Sequence, residues 1–305
     1  MEPHNKLIVL AGGTGKLGRL LARELLAHPD VRLRILVRDP GRPEVARLAH
    51  ERAELFPIDV ASASEAERAA AVRGAWSVVS TLQGGPEVIV EAQLALLRAA
   101  RDAGARRFIP SDYSYDVFAL PPGININSDW RRTLGERARG ELTDSFEVVH
   151  VLQGIFTDRT VLEFLGALDA DKGVLRYWGD GRTPIDWTSW EDTARFTAAA
   201  ALDGRRLPER LGVVGERMDI LTFAETWEAV NKRTLARQCL GSLEELEQEV
   251  QRRQAAEPAN VMAWLPLMYA RGMYGGQALI GTKHNDLFPQ IRAETVAQAL
   301  ARGAA

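Results

Sequence analysis

Residues Lys6–Ala11 (KLIVLA) run directly into Gly12-Gly13-Thr14-Gly15-Lys16-Leu17-Gly18, and no other feature of the chain constrains its fold as strongly. A short continuous apolar run reads as a strand buried on both faces. Behind the glycines, Leu17, Leu20, Leu21, Leu25 and Leu26 recur at helical spacing until His28-Pro29-Asp30 interrupts them. The order is therefore strand, glycine turn, helix. In that order each glycine has a separate mechanical role. Gly12 lets the chain turn, Gly15 lets the backbone approach a pyrophosphate, and Gly18 lets helix and strand pack closely. The N–H groups of the helix N-terminus can then bind the phosphate charge. Gly12, Thr14, Gly15, Lys16, Leu17 and Gly18 are accordingly the first candidate cofactor-binding residues. A Walker-type phosphate loop does not fit, because Leu17 rather than Ser or Thr follows Lys16.

The alternation continues down the chain. Strand-like runs at 33–37, 54–58, 76–82 and 107–110 are separated by helical patterns at 43–50, 64–72 and 86–103, the second opened by Ser64 and the third closed by Gly104. Five strands alternating with helices predict an α/β fold, a Rossmann-type doubly wound parallel sheet. A helix over 129–142 and a strand over 147–152 would complete it with a sixth strand. Beyond Phe156 short apolar runs at 174–178 and 185–187 mix with four helical patterns, which reads as a smaller mixed α/β C-terminal substrate domain. The predicted division is 1–155 for the nucleotide-binding domain and 156–305 for the substrate domain, with 183–203 packing back onto the first.

The end of the second strand decides which dinucleotide fits. Arg38 stands where an NAD enzyme usually places an acidic residue against the ribose 2′-hydroxyl, so Val37-Arg38-Asp39-Pro40 favours NADP(H) over NAD(H), with Lys16, Arg34 and Arg42 as secondary cations. Asp39 would admit NAD if it faced the ribose instead. The charge balance of 38 Lys+Arg against 41 Asp+Glu gives a net charge of −3, which supplies no global positive field for nucleic acid. The single cysteine, Cys239, allows no internal disulfide and no Cys-based zinc cluster, and no metal site is expected. The apolar run after Lys6 is too short for a signal-peptide core, and no run is long enough for a membrane span. A cytoplasmic protein without a membrane partner is expected; the oligomeric state is left open.

The motifs Val9-Leu10-Ala11-Gly12-Gly13-Thr14-Gly15, Val37-Arg38-Asp39-Pro40, Ile58-Asp59-Val60, Ser80-Thr81-Leu82-Gln83-Gly84 and Ala103–Asp112 follow one another in a known order. The sequence resembles the NmrA-like and isoflavone-reductase-like branch of the atypical short-chain dehydrogenases, most strongly over residues 6–112. The resemblance implies an NADP-binding domain and a smaller domain closing over the nicotinamide. It places Asp59 and Val60 beside the adenine, Thr81, Leu82 and Gln83 beside the ribose and pyrophosphate, and Ser111 at the nicotinamide end. One departure matters: related reductases carry an active-site lysine, and this chain has none between Lys16 and Lys172. The region reads Asn127-Ser128-Asp129-Trp130-Arg131-Arg132-Thr133, so Arg131 stands at or near that position. Arginine stays protonated and cannot accept a proton, but it can stabilise developing negative charge. The Tyr-x-x-x-Lys of common short-chain dehydrogenases is also absent.

Two catalytic candidates remain, Tyr113 just past the fifth strand and Arg131 as an electrostatic clamp. Gln153 and Phe156, with Tyr113, are candidates for the substrate pocket, and His150 reads as a core histidine. Trp and Tyr residues downstream suit either an aromatic ligand or a packed core. The expected activity is an NADPH-dependent reductase passing hydride to a small, aromatic carbonyl, quinone or ether; the alternative is a non-catalytic NADP(H)-binding redox sensor of the NmrA type.

Overall fold

Eleven elements make up the first half of the molecule in the computed structural model, which describes residues 6–303: β1 (Lys6–Ala11), α1 (Lys16–Leu26), β2 (Val31–Val37), α2 (Pro43–Ala46), β3 (Ala53–Pro57), α3 (Glu65–Val72), β4 (Ser77–Ser80), α4 (Gln93–Asp102), β5 (Arg107–Ile109), α5 (Ile126–Ala138) and β6 (Glu147–Val148). The six strands form one parallel sheet in the order β3-β2-β1-β4-β5-β6. This is the doubly wound Rossmann-type arrangement, with the order reversing between β1 and β4. Ile8, Val9, Leu10 and Ala11 are wholly buried, which is why β1 reads as unbroken apolar sequence. α3 opens with a capping box in which Ser64 and Glu67 satisfy each other's backbone N–H.

Three elements differ from the sequence reading. The helix expected over 86–103 begins as a π-helical segment, Glu87–Ala92, and becomes α-helical only at Gln93. The helix expected over 43–50 ends at Ala46. The strand expected over 147–152 breaks in two: Val149 still donates its N–H to the Phe108 carbonyl, but His150 donates to the Glu209 carbonyl, and His150–Leu152 pairs with Arg210–Gly212.

By contacts the chain falls into two compact, interleaved units. The first takes the chain through Tyr113, then Trp130–Val151 and Thr193–Leu211; the second takes Ser114–Asp129, Leu152–Asp192 and Gly212 onward. The sequence reading divided the chain at 155, with 183–203 packing back onto the first domain. By contacts the returning segment is Thr193–Leu211, and Ser114–Asp129 falls in the second unit. Arg107 explains the return: its fully buried guanidinium donates to the carbonyls of Ala200, Asp203 and Arg205 while pairing with Glu147.

The second unit has mixed sheets, one ordering Ala236–Cys239, Val174–Tyr177 and Leu168–Asp169, another ordering Glu216–Met218, Ile185–Thr188 and Ile155–Phe156. Trp187 stacks on Phe223 with centroids 4.5 Å apart, and Trp227, Trp264 and Tyr274 join the same core. These aromatic residues are packing. Among the described residues no helix is long and apolar enough to cross a membrane, and no three His, Cys, Asp or Glu residues cluster to hold a metal.

Candidate functional site

The carboxyl ends of β1 and β4, where the strand order reverses, are drawn together by the glycine turn. Gly12 adopts φ +85°, a conformation that disfavours a side chain, and a Cβ there would lie 2.7 Å from the Thr81 carbonyl carbon. Thr81 Oγ donates to the carbonyls of Ala11 (3.1 Å) and Gly12 (3.0 Å), fastening the two strand ends. Gly18 is fixed by packing, since its Cβ would lie 2.3 Å from the Gly12 carbonyl oxygen and 2.7 Å from Gly13 Cα.

Gly15 differs from both. Its φ −73° and ψ 169° suit any residue, and the nearest atom to an added Cβ is 3.5 Å away. Neither conformation nor the protein's own packing requires glycine there. A ligand pressed against its backbone would. Gly15 is also the N-cap of α1, whose first turn receives no side-chain cap and carries no acidic residue. The absence of a side-chain cap and the helix dipole favour an anion at this point. Thr14, Gly15 and Lys16 are exposed around it, while Leu17 is buried and anchors the helix.

At the end of β2 the two competing side chains separate. Asp39 turns back on its own loop, accepting the Gly41 N–H at 2.9 Å, with the Arg42 guanidinium 3.8 Å away. Arg38 is exposed, and its guanidinium enters no ion pair or hydrogen bond among the described residues. Arg34 is no secondary cation of this site, because it is committed to Glu54 and to the carbonyls of Ala71 and Arg73. Past β3, Asp59 accepts the Ala61 N–H at 3.1 Å and Val60 is buried.

The β4 and β5 ends are also joined. Ser111 Oγ donates to the Leu82 carbonyl at 2.7 Å, and the Ser111 N–H donates to the Gln93 side chain at 2.9 Å; Leu82 is half-buried and Gln83 exposed. Arg131, on α5, directs Nε at the carbonyls of Ser111 and Asp112, both at 3.1 Å. Ser111 and Arg131 thus meet at one strand end. Tyr113 shares that end but points its hydroxyl inward. The hydroxyl is buried beside Thr197, whose own hydroxyl is given to the Thr193 carbonyl, and it has no partner of hydrogen-bonding geometry. Burial holds its phenol well above the ordinary tyrosine range. The backbone of Tyr113 is at φ +33°, a strained value for a residue with a side chain. This placement withholds the phenol from a proton-donor role.

His150 is the core residue the sequence suggested, but it has a specific partner: its Nδ1 lies 2.5 Å from Asp112 Oδ2, and both side chains are buried. In the second unit Gln153 is fully buried, its Nε2 donating to the Gly154 carbonyl, and Phe156 stacks face to face on Trp190 with centroids 3.5 Å apart. Sequence reasoning missed Gln93 and the Asp112–His150 pair. A polar residue at a buried helical position, Gln93 between Ile89 and Leu97, was the available signal for the first.

Comparison with known proteins agrees with this architecture. The model of the NmrA-like family matches residues 4–127. An oxidoreductase of Metarhizium robertsii, swnN, is 25% identical over 218 residues, which span 62% of this chain and 63% of that protein, short of two thirds of its length. Pinoresinol reductase 2 of Arabidopsis thaliana is 24% identical over 248 residues, 75% of each chain. The solved structure of an NADPH-dependent quinone oxidoreductase of Escherichia coli, complexed with NADPH, superposes with a TM-score of 0.77 at 16% identity, covering 98% of this chain and 100% of that one. At that identity the likeness is one of fold.

Proposed function

We propose that this chain, whose nucleotide-binding half carries the NmrA-like family match, is an NADPH-dependent reductase acting on a small aromatic carbonyl, quinone or ether. The observation that carries the reading is Gly15: a glycine that neither backbone nor packing demands, at an uncapped helix N-terminus, fits close approach of a pyrophosphate to its backbone. When bound, the nicotinamide supplies hydride from its C4. Gly12, Thr14, Gly15 and Lys16 hold the phosphates, Leu17 and Gly18 seat the helix that presents them, and Arg38 takes the 2′-phosphate. Asp59 and Val60 border the adenine, and Thr81, Leu82, Gln83 and Ser111 the ribose and nicotinamide. The turn that occupies Asp39 supports NADP(H) over NAD(H), because the carboxylate that would repel a 2′-phosphate is already engaged.

With the Tyr113 phenol buried and no lysine between Lys16 and Lys172, the product proton is best drawn from water. That suits an acceptor such as a quinone, whose reduced form is stabilised as an anion. Arg131 contributes positive charge at the β5 end against such an anion. Gln153 and Phe156 belong to the substrate side of the reading, and a cytoplasmic location is part of it. NADPH oxidation followed at 340 nm across quinones, aromatic aldehydes and aryl ethers tests it. Turnover with at least one class is expected. Tight NADPH binding without turnover on any class would instead establish the non-catalytic sensor, the reading favoured by the buried phenol.

A further inference from the structure

One buried polar side chain in the first unit is unused by the cofactor contacts above. Gln93 is fully buried, on a helix whose other inward residues are Leu94, Leu96, Leu97 and Ala100. A leucine or methionine would fill such a position, and a buried amide destabilises the fold unless both its ends are bonded. Both are. Nε2 donates to the Ile89 carbonyl at 2.9 Å, and Oε1 accepts the Ser111 N–H at 2.9 Å. Ser111 passes the connection on, its hydroxyl donating to the Leu82 carbonyl at 2.7 Å. Three consecutive hydrogen bonds therefore tie a helix, the end of β5 and the loop after β4 into one unit.

The helix is distorted where this happens. Residues Glu87–Ala92 form a π-helical stretch that ends at Gln93, whose own N–H reaches back to the Val88 carbonyl. π segments are rare and concentrate at functional sites. Here the widened turn sits directly before the residue whose amide reaches β5, and the carbonyl that amide takes, Ile89, belongs to the widened turn.

We propose that Gln93 is a positioning residue for the nicotinamide end of the dinucleotide site, setting the Ser111 backbone and hydroxyl, and through them the Leu82 loop, in the arrangement that holds the ring. The proposal rests on the functional reading above, in which Ser111 and Leu82 border the nicotinamide and its ribose. It assigns Gln93 no contact with ligand. Its effect is transmitted through Ser111, and it should leave the adenosine and pyrophosphate end untouched.

The experiment separates the two ends of the cofactor. Gln93→Leu is titrated with NADPH, reading the emission of the bound nicotinamide, and with adenosine 2′,5′-bisphosphate, which has no nicotinamide, by calorimetry. Gln93→Glu is measured alongside, since its carboxyl, in the protonated form, keeps both the acceptor for the Ser111 N–H and a donor for the Ile89 carbonyl, and serves if the leucine variant does not fold. The expected result is that Gln93→Leu binds the bisphosphate as the wild type does but loses most of the nicotinamide emission change, with Gln93→Glu restoring part of it. A variant with wild-type emission, or one weakened equally toward both ligands, overturns the proposal. Wild-type protein that binds the bisphosphate and NADPH without any nicotinamide emission change overturns it too. Wild-type protein that binds neither ligand defeats the functional reading itself.

Discussion

Gly15 and Gly18 stand three positions apart on the same turn and are glycines for opposite reasons. At Gly18 the surroundings are backbone, 2.3 Å from an added Cβ, and cannot retreat, so Gly18→Ala should destabilise the fold by about 1–3 kcal/mol, the usual cost of overpacking. At Gly15 the protein leaves room. Losing a good N-cap and restricting the unfolded chain are opposed effects, each of about 0.5–1 kcal/mol, and should nearly cancel. Gly15→Ala should therefore melt within a few degrees of the wild type yet bind NADPH roughly tenfold or more weakly, equivalent to about 1.4 kcal/mol. Thermal melts and NADPH titration of the pair check this; a Gly15→Ala protein with wild-type affinity would show that no ligand presses on that residue. These roles were legible in the sequence because strand, glycines and helix are contiguous. The inward turn of the Tyr113 hydroxyl was not, since the Thr197 it is buried beside reaches β5 only after the chain has left for the second unit and returned.

At the scale of elements, most strands and helices of the first unit were readable because an apolar run or stripe matches a buried face, as in β1, β4 and α1. The failures have physical causes. A π-helical turn preserves the apolar spacing of 86–103 closely enough that periodicity alone cannot register it. The break between Glu147–Val148 and His150–Leu152 arises because the His150 N–H finds the Glu209 carbonyl, a partner remote in sequence. Arg107, the first residue of β5, is wholly buried and staples Thr193–Leu211 to the sheet. Burial alone would lower its basicity, and Glu147 opposes that shift. Replacing it leaves the Glu147 carboxylate buried without its cation. Arg107→Leu should cost about 3–5 kcal/mol in urea unfolding, the range for removing one partner of a buried pair. A loss below about 1 kcal/mol, typical of a surface pair, would mean that the staple contributes little.

At the scale of the whole molecule, the sequence carried the Rossmann-type class further than it carried the substrate. The proposed cofactor residues lie at strand ends in fixed order, so their positions follow from the alternation of elements. The proposed substrate residues Gln153 and Phe156 lie in the second unit, past the last strand of that alternation. The aromatic clusters that suggested a ligand chamber are mostly core, with Trp187, Trp264 and Tyr274 buried among Phe223 and Met268. The proposed function has one physical centre: a glycine turn placed to grip a diphosphate and an exposed Arg38 placed to select the phosphorylated ribose. Calorimetric titration of the wild type and of Arg38→Ala with NADPH and NADH tests it most directly. The wild type is predicted to bind NADPH at least about tenfold more tightly than NADH, a difference of about 1.4 kcal/mol, and Arg38→Ala to abolish most of that preference. Equal affinity of the wild type for both nucleotides, or no heat with either, would contradict it.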